Sequence, residues 1–331
     1  MRDKIAGALY GMALGDAMGM PAELWGRKRV KAFFGQIEGF LDGPAENDVA
    51  FNYKKGQFTD DTGQALVLLD SIESTDYEPD TRDIALRMLA WAEKENAFEN
   101  NILGPTSKVA LANFRDNIQD SRITDKALSN GSAMRIAPIG CLFRPEQKED
   151  IARYVYLVSR ATHTSDVTIA GAAMIAEAVS SAIVKDDFEK VMEDVFGIEE
   201  IGYGMGCETF SPRLGERLRI GLDIAGSYKG DDEGFIHKLY DVVGTGVGII
   251  ESVPAALSVA YYAQDPNLSC LLCANMAGDT DTIGAMATAV CGAFTGMGRI
   301  KPEYIRTLRQ QNDADFDHYI RILEKGRERF A

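Results

Sequence analysis

Two acidic segments, far apart in the chain, carry residue types that bind divalent metal ions. Residues 58–64 read Phe-Thr-Asp-Asp-Thr-Gly-Gln, and residues 277–284 read Ala-Gly-Asp-Thr-Asp-Thr-Ile-Gly. Each places two carboxylates and neighbouring hydroxyls at the start of an apolar helical pattern. Because one aspartate is enough to cap a helix, each segment taken alone fits a helix cap as well as half of a metal site.

Taken together, the two segments offer four aspartates: Asp60, Asp61, Asp279 and Asp281. Adjacent ionised carboxylates near a core repel one another unless cations or hydrogen-bond donors compensate. No matching set of cysteines and histidines accompanies them, so the oxygen ligands suit Mg²⁺ or Mn²⁺ better than Zn²⁺. We therefore predict that the two segments meet in the fold and that two divalent ions balance the four aspartates.

Composition excludes some classes of partner. The chain has 331 residues, of which 46% are hydrophobic, and a formal net charge of −15. That length can bury a substantial core, whereas the acidic charge argues against nucleic acid, which requires clustered positive charge. An acidic protein can still bind an anionic small molecule where divalent cations supply local positive potential.

The cysteines and the hydropathy pattern indicate an intracellular protein. The five cysteines are an odd number at spacings unlike a disulfide framework, so we expect reduced, mostly core residues, including the Cys270 and Cys273 pair. The N-terminus lacks a signal-peptide pattern, and we expect no apolar run of membrane-spanning length. The prediction is a cytoplasmic protein with no membrane partner.

Helices must position the acidic segments, because strand alternation is nearly absent. The first, over residues 4–20, carries glycines every four residues (Gly7, Gly11, Gly15 and Gly19), which permits close helix approach, and Pro21 ends it. Residues 35–58 are predicted as a long loop, and residues 27–31 as solvated basic surface. Further helices are predicted over residues 61–73, 81–96, 106–116, 133–142, 148–160, 166–184, 187–196, 213–227, 233–243, 250–263, 267–276, 281–297, 302–310 and 314–329.

These elements favour one all-α domain over residues 1–331. No period of 20 to 50 residues indicates a solenoid, and no Ser-rich or Pro-rich linker divides the chain. The long apolar helices 166–184 and 281–297 are predicted to form its centre. Three further features are assigned structural roles: Asp16 as a buried hydrogen bond from helix to loop, Trp25 as packed core, and residues 244–248 as a flexible turn.

Six sequence blocks, in this order, resemble the ADP-ribosylglycohydrolase family, which includes the dinitrogenase reductase-activating glycohydrolases. They lie at residues 7–17, 59–62, 130–135, 161–164, 251–257 and 278–282. The resemblance covers essentially the whole chain. It implies a compact orthogonal bundle of a dozen or more helices, with a binuclear Mg²⁺ or Mn²⁺ site at a central cleft that cleaves a glycosidic bond at the C1 of a ribose.

The resemblance also implies roles for individual residues. The metal ligands would be Thr59, Asp60, Asp61, Asp279, Asp281 and Thr282. Glu23 matches a candidate acid or base, so Glu23, Asp61 and Asp281 are the catalytic candidates. Asn130, Gly131 and Ser132 match a loop along the bound ribose and phosphates, and His163 matches a histidine that lines the nucleotide cleft.

Two departures from the family pattern affect the ligand loop and leave the substrate open. Ser129 stands where a glycine is expected, and Thr164, Ser165 and Asp166 follow His163 where a proline is common. The favoured substrate is an ADP-ribosylated protein or ADP-ribosyl small molecule, with water attacking C1. The alternatives are a metal-dependent N-ribosyl hydrolase of a nucleoside or another free ribosyl compound, and a non-catalytic ADP-ribose-binding module.

Overall fold

The computed structural model describes residues 1–100 and 102–330. Over those residues the chain forms seventeen α-helices and two 3₁₀ turns, with only isolated β-bridges and no sheet. The helices are α1 (Arg2–Gly19), α2 (Arg27–Phe34), α3 (Asp60–Ser74), α4 (Thr81–Lys94), α5 (Pro105–Arg115), α6 (Arg122–Asp125), α7 (Ala137–Gly140), α8 (Lys148–Ser159), α9 (Asp166–Val184), α10 (Phe188–Tyr203), α11 (Leu214–Ser227), α12 (Asp232–Val242), α13 (Ile249–Ala263), α14 (Pro266–Met276), α15 (Thr280–Thr295), α16 (Pro302–Gln311) and α17 (Phe316–Phe330). The predicted all-α fold is confirmed.

The glycine stripe of α1 packs directly on the backbone of α15. A Cβ added at any of the four glycines would lie 1.9 to 2.3 Å from a carbonyl oxygen of α15. The four pairs are Gly7 with Gly292, Gly11 with Thr288, Gly15 with Gly284, and Gly19 with Thr280. Only glycine permits this approach. The contact fixes the C-terminal end of α1 beside the first turn of α15, where the second acidic segment lies.

Helix α9 crosses the centre of the molecule. Nearly all of its residues are buried, as are those of α15, so both predicted central helices are confirmed. The expectation that no apolar run reaches membrane-spanning length is wrong for α9, which is long and apolar enough by composition. However, 94% of its most apolar window is buried inside the fold, which is typical of a core helix.

Four helices differ from the predicted set, namely α2, α6, α7 and α10, and the short α6 lies where no helix was predicted. Only α7 forms within the predicted helix 133–142, because Pro138 has no amide hydrogen to continue a helix from Met134. Helix α2 escaped prediction because Val30 is its only buried residue, so no apolar period marks it. Helix α10 runs to Tyr203, past the predicted end at residue 196.

The smaller structural assignments agree with the fold. Trp25 is buried, and the Arg29 guanidinium lies 3.9 Å above its ring. Four of the five cysteines are buried free thiols, and Cys207 is exposed. No helix forms within residues 35–58, the predicted long loop that leads to α3.

Candidate metal centre

The two acidic segments meet at the N-terminal ends of α3 and α15. The Thr59 hydroxyl lies 3.4 Å from Oδ2 of Asp281, to which it donates, and the Thr282 hydroxyl donates to Oδ1 of Asp61 over 3.3 Å. All four side chains are at least 95% buried. The predicted juxtaposition of these segments is therefore confirmed, while their role as metal ligands stays a prediction.

Helix capping does not account for the aspartates. The cap of α3 is Thr59, whose hydroxyl accepts from the Asp61 amide, so Asp60 and Asp61 are not needed for it. Asp279 occupies the cap position of α15 but makes no capping hydrogen bond. Its Oδ2 instead accepts from Nδ2 of Asn130 over 2.6 Å. The carboxylates are thus in excess of what the two helix ends require.

The carboxylates form two overlapping groups that fit divalent cations. Oxygens of Asp16, Asp61 and Asp281 lie within 4.8 Å of one another, and so do oxygens of Glu23, Asp279 and Asp281. Oδ2 of Asp61 and Oδ1 of Asp281 are buried and have no hydrogen-bond partner among the described residues. A buried carboxylate oxygen without a partner is costly. A hard cation satisfies such oxygens, so this donor set fits Mg²⁺ or Mn²⁺.

Asp16 positions this centre and is already saturated with hydrogen bonds. Oδ1 accepts from the Thr59 amide over 2.8 Å. Oδ2 accepts from the Thr62 amide and the Thr62 hydroxyl, over 3.0 and 2.6 Å. The carboxylate therefore ties α1 to the first turn of α3, as predicted. Because both oxygens already accept hydrogen bonds, we assign Asp16 to positioning, while metal binding by Asp61 and Asp281 stays a prediction.

Burial raises the pKa of every carboxyl in the cluster, and repulsion from neighbouring carboxylates adds to it at Glu23, Asp60, Asp61 and Asp281. Burial is the largest cause throughout; it raises the pKa of Asp16 and Asp279 to about 6 and that of Asp60 to about 7. Burial and neighbouring carboxylates hold the pKa of Asp61, Asp281 and Glu23 well above the ordinary range. The metal-free cluster therefore retains protons at a pH where exposed aspartates are ionised.

Metal-free protein is expected to lose stability as the pH rises towards neutrality. The folded-state pKa values of about 6 to 7 exceed the ordinary 3.8, so the folded state binds more protons in this interval. The resulting stabilisation is full below pH 3.8 and disappears as the pH passes through those values. Melting temperatures in EDTA should fall between pH 4.5 and 7.5, and Mg²⁺ should suppress the fall. A melting temperature that rises over this range in EDTA would contradict the raised pKa values.

Glu23 is held at the edge of the cluster by its backbone neighbours. The Leu24 amide donates to the Gly278 carbonyl over 2.7 Å, and the Gly278 amide donates to the Trp25 carbonyl over 2.9 Å. Nδ2 of Asn47 donates to the Glu23 carbonyl over 3.0 Å. Glu23 itself is only partly buried. The segment after α1 is thus joined to the segment before α15, which fixes the Glu23 backbone beside the cluster.

The glycine-rich turn at 244–248 links Asp279 to the loop of residues 130–132, here called the Asn130 loop. The Asp279 amide donates to the Thr245 carbonyl over 2.7 Å, and the Asn130 amide donates to the Val247 carbonyl over 3.1 Å. Within the turn, Oε2 of Glu251 accepts from the Gly246 amide over 2.9 Å. The turn predicted as flexible is therefore bonded on both sides and fixes the loop against the cluster.

Backbone strain precedes the second acidic segment. Ala277 has φ 74° and ψ 168° and is fully buried. This region suits glycine, and an alanine in it costs about 1–3 kcal/mol. The adjacent Gly278 has φ 86°, and a Cβ there would lie 2.2 Å from the Thr245 carbonyl oxygen. Surrounding contacts hold this conformation, which sets the direction in which Asp279 enters the site.

His163 supports the Asn130 loop from beneath. Its side chain is fully buried; Nε2 lies 3.1 Å from the Ser129 hydroxyl, and Nδ1 lies 2.9 Å from the Thr162 hydroxyl. A Cβ on Gly131 would lie 2.7 Å from its ring. Burial lowers the pKa of His163 to about 3, so the imidazole is neutral. The Ser132 hydroxyl is also turned inward, donating to the Thr168 carbonyl over 3.0 Å. Ligand contacts by these residues stay predictions.

Buried Arg135 connects the Asn130 loop to the metal centre. Nη1 of Arg135 donates to Oε1 of Gln64 over 2.6 Å, and Nε2 of Gln64 donates to Oδ2 of Asp60 over 2.8 Å. Nη2 of Arg135 donates to the Thr162 hydroxyl over 2.5 Å, which also contacts His163. Burial lowers the pKa of Arg135 only to about 10, so it stays cationic. The i, i+4 spacing of Asp60 and Gln64 could have indicated their contact on a helix, whereas Arg135 meets Gln64 and Thr162 only in the folded chain.

Substitutions of Gln64 test whether the chain of hydrogen bonds from Arg135 through Gln64 to Asp60, here called the relay, supports metal binding. In Gln64→Leu both bonds are lost, so we expect the divalent metal affinity to fall by about 10- to 100-fold and the stability to fall by about 1–3 kcal/mol. Gln64→Glu still accepts from Arg135 but no longer donates to Asp60. It should keep the bond to Arg135, but because its carboxylate repels Asp60 it should recover neither the metal affinity nor the full stability, as measured by titration calorimetry with Mn²⁺ and by thermal melting. Equal metal affinity in all three proteins would exclude the relay.

Comparison with known proteins agrees with this architecture. The family model described as ADP-ribosylglycohydrolase matches residues 1–329. The chain is 44% identical to the uncharacterized protein YegU of Escherichia coli over 98% of both chains. It is 26% identical to the ADP-ribosylarginine hydrolase Tri1 of Pseudomonas putida over 92% of this chain and 73% of that protein.

More distant similarity extends to animal proteins and to a solved structure. The chain is 24% identical to ADP-ribosylhydrolase ARH3 of Bos taurus over 94% of this chain and 90% of that protein. A solved structure titled ADP-ribosylglycohydrolase-related protein complex shares the fold with a TM-score of 0.72 and 22% identity, over 98% of each chain. The family match and the YegU relationship each span nearly the whole sequence. The chain therefore belongs to the ADP-ribosylglycohydrolase family, whose members are glycosidase-type hydrolases.

Proposed function

We propose that this protein hydrolyses the bond between a leaving group and the C1 of a ribose in an ADP-ribosyl compound, with two Mg²⁺ or Mn²⁺ ions as cofactors. The observation that carries the proposal is the pair of buried, unpartnered oxygens on Asp61 and Asp281 within two overlapping carboxylate groups. The printed names of the Pseudomonas putida and Bos taurus relatives, both ADP-ribosyl hydrolases, support the substrate class.

The chain's own residues divide into metal-holding and proton-handling groups. Asp61, Asp281 and Asp279 would hold the cations, with further oxygens from Thr59, Asp60 and Thr282. Bound there, divalent cations supply Lewis acidity, which lowers the pKa of water and polarises hydroxyl groups. The cluster has many carboxylates and few hydrogen-bond donors. Bound cations would therefore supply the positive charge that this acidic protein otherwise lacks at the site.

Glu23 is proposed as the group that moves the proton. Its carboxylate lies within 4.8 Å of oxygens of Asp279 and Asp281, and Glu23 is the one residue of that group that is only partly buried. It can therefore accept a proton from the attacking water and return it to the leaving group. Asn130, fixed to Asp279 by its side-chain amide, holds the neighbouring loop at a constant distance from this reaction centre.

The test is product analysis with metal-loaded and metal-stripped protein. The substrates are ADP-ribosyl-arginine protein, an O-linked ADP-ribosyl peptide and a panel of nucleosides, each with Mg²⁺, with Mn²⁺ and with EDTA. Release of ADP-ribose only in the presence of metal supports the proposal. Cleavage of nucleosides alone would favour the N-ribosyl hydrolase, tight ADP-ribose binding without cleavage would favour the binding module, and full activity in EDTA would overturn the metal dependence.

A further inference from the structure

The start of α13 carries two residues, Glu251 and Pro254, for which helix formation alone gives no reason. Both belong to residues 251–257, one of the six sequence blocks. Glu251 is the third residue of α13, a position from which a glutamate commonly bonds the amide of the cap residue. Pro254 lies inside the helix, where a proline removes one of the helical hydrogen bonds. A residue that weakens its own helix is expected to serve a contact outside it.

Glu251 bonds the turn that precedes α13 and not the end of the helix itself. The cap residue of α13 is Gly248, which has no side chain that could bond the helix amides. Oε2 of Glu251 accepts from the Gly246 amide over 2.9 Å, two residues before the cap. A Cβ on Gly244 would lie 2.5 Å from the same oxygen, so the carboxylate also lies against the first residue of the turn. The side chain of Glu251 therefore holds the turn from within.

Arg217 of α11 joins the two ends of the same turn. Its Nη1 donates to the Val243 carbonyl, directly before the turn, over 3.0 Å. The same atom lies 3.5 Å from the Ile250 carbonyl, two residues after the turn. Because Pro254 has no amide hydrogen, the Ile250 carbonyl lacks the donor that a helix normally supplies four residues further on. Pro254 thus leaves this carbonyl open to the guanidinium of Arg217.

Two amides of the candidate metal centre and its loop donate to carbonyls of this turn. The Asp279 amide bonds the Thr245 carbonyl over 2.7 Å, and the Asn130 amide bonds the Val247 carbonyl over 3.1 Å. The Asn130 side chain also donates to Oδ2 of Asp279 over 2.6 Å, which requires the two backbones to stay at a set separation. Thr245, Asn130 and Asp279 are no more than 6% exposed. A displaced turn would therefore move Asn130 relative to Asp279.

We propose that Glu251 and Arg217 are positioning residues that fix the 244–248 turn and, through it, the distance between Asn130 and Asp279. Their effect on turnover rests on the proposed function, in which Asp279 holds a cation and the Asn130 loop lies along the ribose. A misplacement of about 1 Å in a reaction centre can lower the rate about a hundredfold. The two side chains therefore act on the rate through the turn, without touching the substrate.

Hydrogen exchange of the metal-free protein tests the positioning without any substrate. Glu251→Leu removes the acceptor for the Gly246 amide, whereas Glu251→Gln keeps an acceptor oxygen. In the leucine variant, the amides of Asn130 and Asp279 should exchange about tenfold faster than in the wild type, because both donate to the turn. The glutamine variant should exchange as the wild type does. Amides of α17 report global unfolding and should not change in either variant.

Arg217→Met, with Arg219→Met as its matched control, tests the contact at the ends of the turn. Both arginines lie on α11, but Arg219 is exposed and lies 3.7 Å from Glu216 in a surface pair. Arg217→Met should speed the exchange of the Asn130 and Asp279 amides, and Arg219→Met should not. Wild-type exchange at both amides in Glu251→Leu and Arg217→Met would overturn the proposal, whatever substrate the protein has.

Rates with ADP-ribosyl-arginine protein separate positioning from a loss of folded protein. At a temperature where every variant is folded, Glu251→Leu and Arg217→Met should each lower kcat/KM about 10- to 100-fold. Glu251→Gln and Arg219→Met should keep the wild-type value. A purely structural role would lower the melting temperature and leave the rate of the folded protein unchanged, and that result would overturn the proposal. If the wild type hydrolyses no ADP-ribosyl substrate, the proposed function fails, and the exchange experiment alone decides the positioning.

Discussion

Asp281→Asn is expected to lower kcat/KM by about a thousandfold or more, because Asp281 is the carboxylate that both oxygen groups share. Its Oδ1 has no partner among the described residues, and its Oδ2 is reached only by the Thr59 hydroxyl. Asparagine keeps the shape and one acceptor but removes the charge that a divalent cation requires. Initial rates at saturating Mg²⁺, with Mn²⁺ affinity measured by calorimetry, provide the measurement.

The same substitution should stabilise the metal-free protein. Neighbouring carboxylates raise the pKa of Asp281, so removing its charge relieves repulsion with Glu23, Asp61 and Asp279. Melting in EDTA at pH 7.5 should therefore be higher for Asp281→Asn than for the wild type, while added Mg²⁺ should raise only the wild type. Asp194→Asn, which breaks the pair with Lys148 at 3.0 Å, should destabilise the protein with and without metal.

This opposite response of stability and activity distinguishes a metal ligand from a structural aspartate. A structural role would lower the melting temperature in EDTA and leave the Mg²⁺ shift intact. Retained turnover by Asp281→Asn, together with an unchanged Mg²⁺ shift, would remove the basis for the metal centre at this position.

Gly15→Ala is expected to cost about 3 kcal/mol of unfolding free energy or to prevent folding. The new methyl group would lie 1.9 Å from the Gly284 carbonyl oxygen and 2.8 Å from the Thr288 hydroxyl. Two buried helices would have to separate to admit it, and the first turn of α15 would move with them. Urea unfolding measures the stability loss, and the Mg²⁺ dependence of the melting temperature reports the site.

Gly226→Ala is the matched control. Gly226 also lies in a helix, α11, but a Cβ there meets nothing within 4 Å. Alanine has the higher helix propensity, so this variant should gain up to about 1 kcal/mol. Equal stability of the Gly15→Ala and Gly226→Ala proteins would show that α1 and α15 are not in backbone contact.

The juxtaposition of the acidic segments could be predicted because their chemistry is local. The neighbouring aspartates at each of the two helix starts repel one another. Cations bound between the two segments would offset both repulsions. The close packing of α1 against another helix could also be predicted, because a glycine at every fourth residue leaves one face of a helix without side chains. Neither argument needed the path of the chain between the segments.

The supporting residues could not be found in this way. Arg135 donates to Gln64, and Asn47 holds the Glu23 backbone, but nothing in their spacing specifies these partners. Only the contact of Gln64 with Asp60 follows the i, i+4 spacing of a helix.

The backbone contact between α1 and α15 limits how proteins of this architecture can change. A side chain cannot be added at the glycines without separating the helices, so the distance between Glu23 and Asp279 is insulated from gradual mutation. Changes in substrate preference are therefore expected to arise outside the contact between these two helices, around a carboxylate cluster whose position stays fixed.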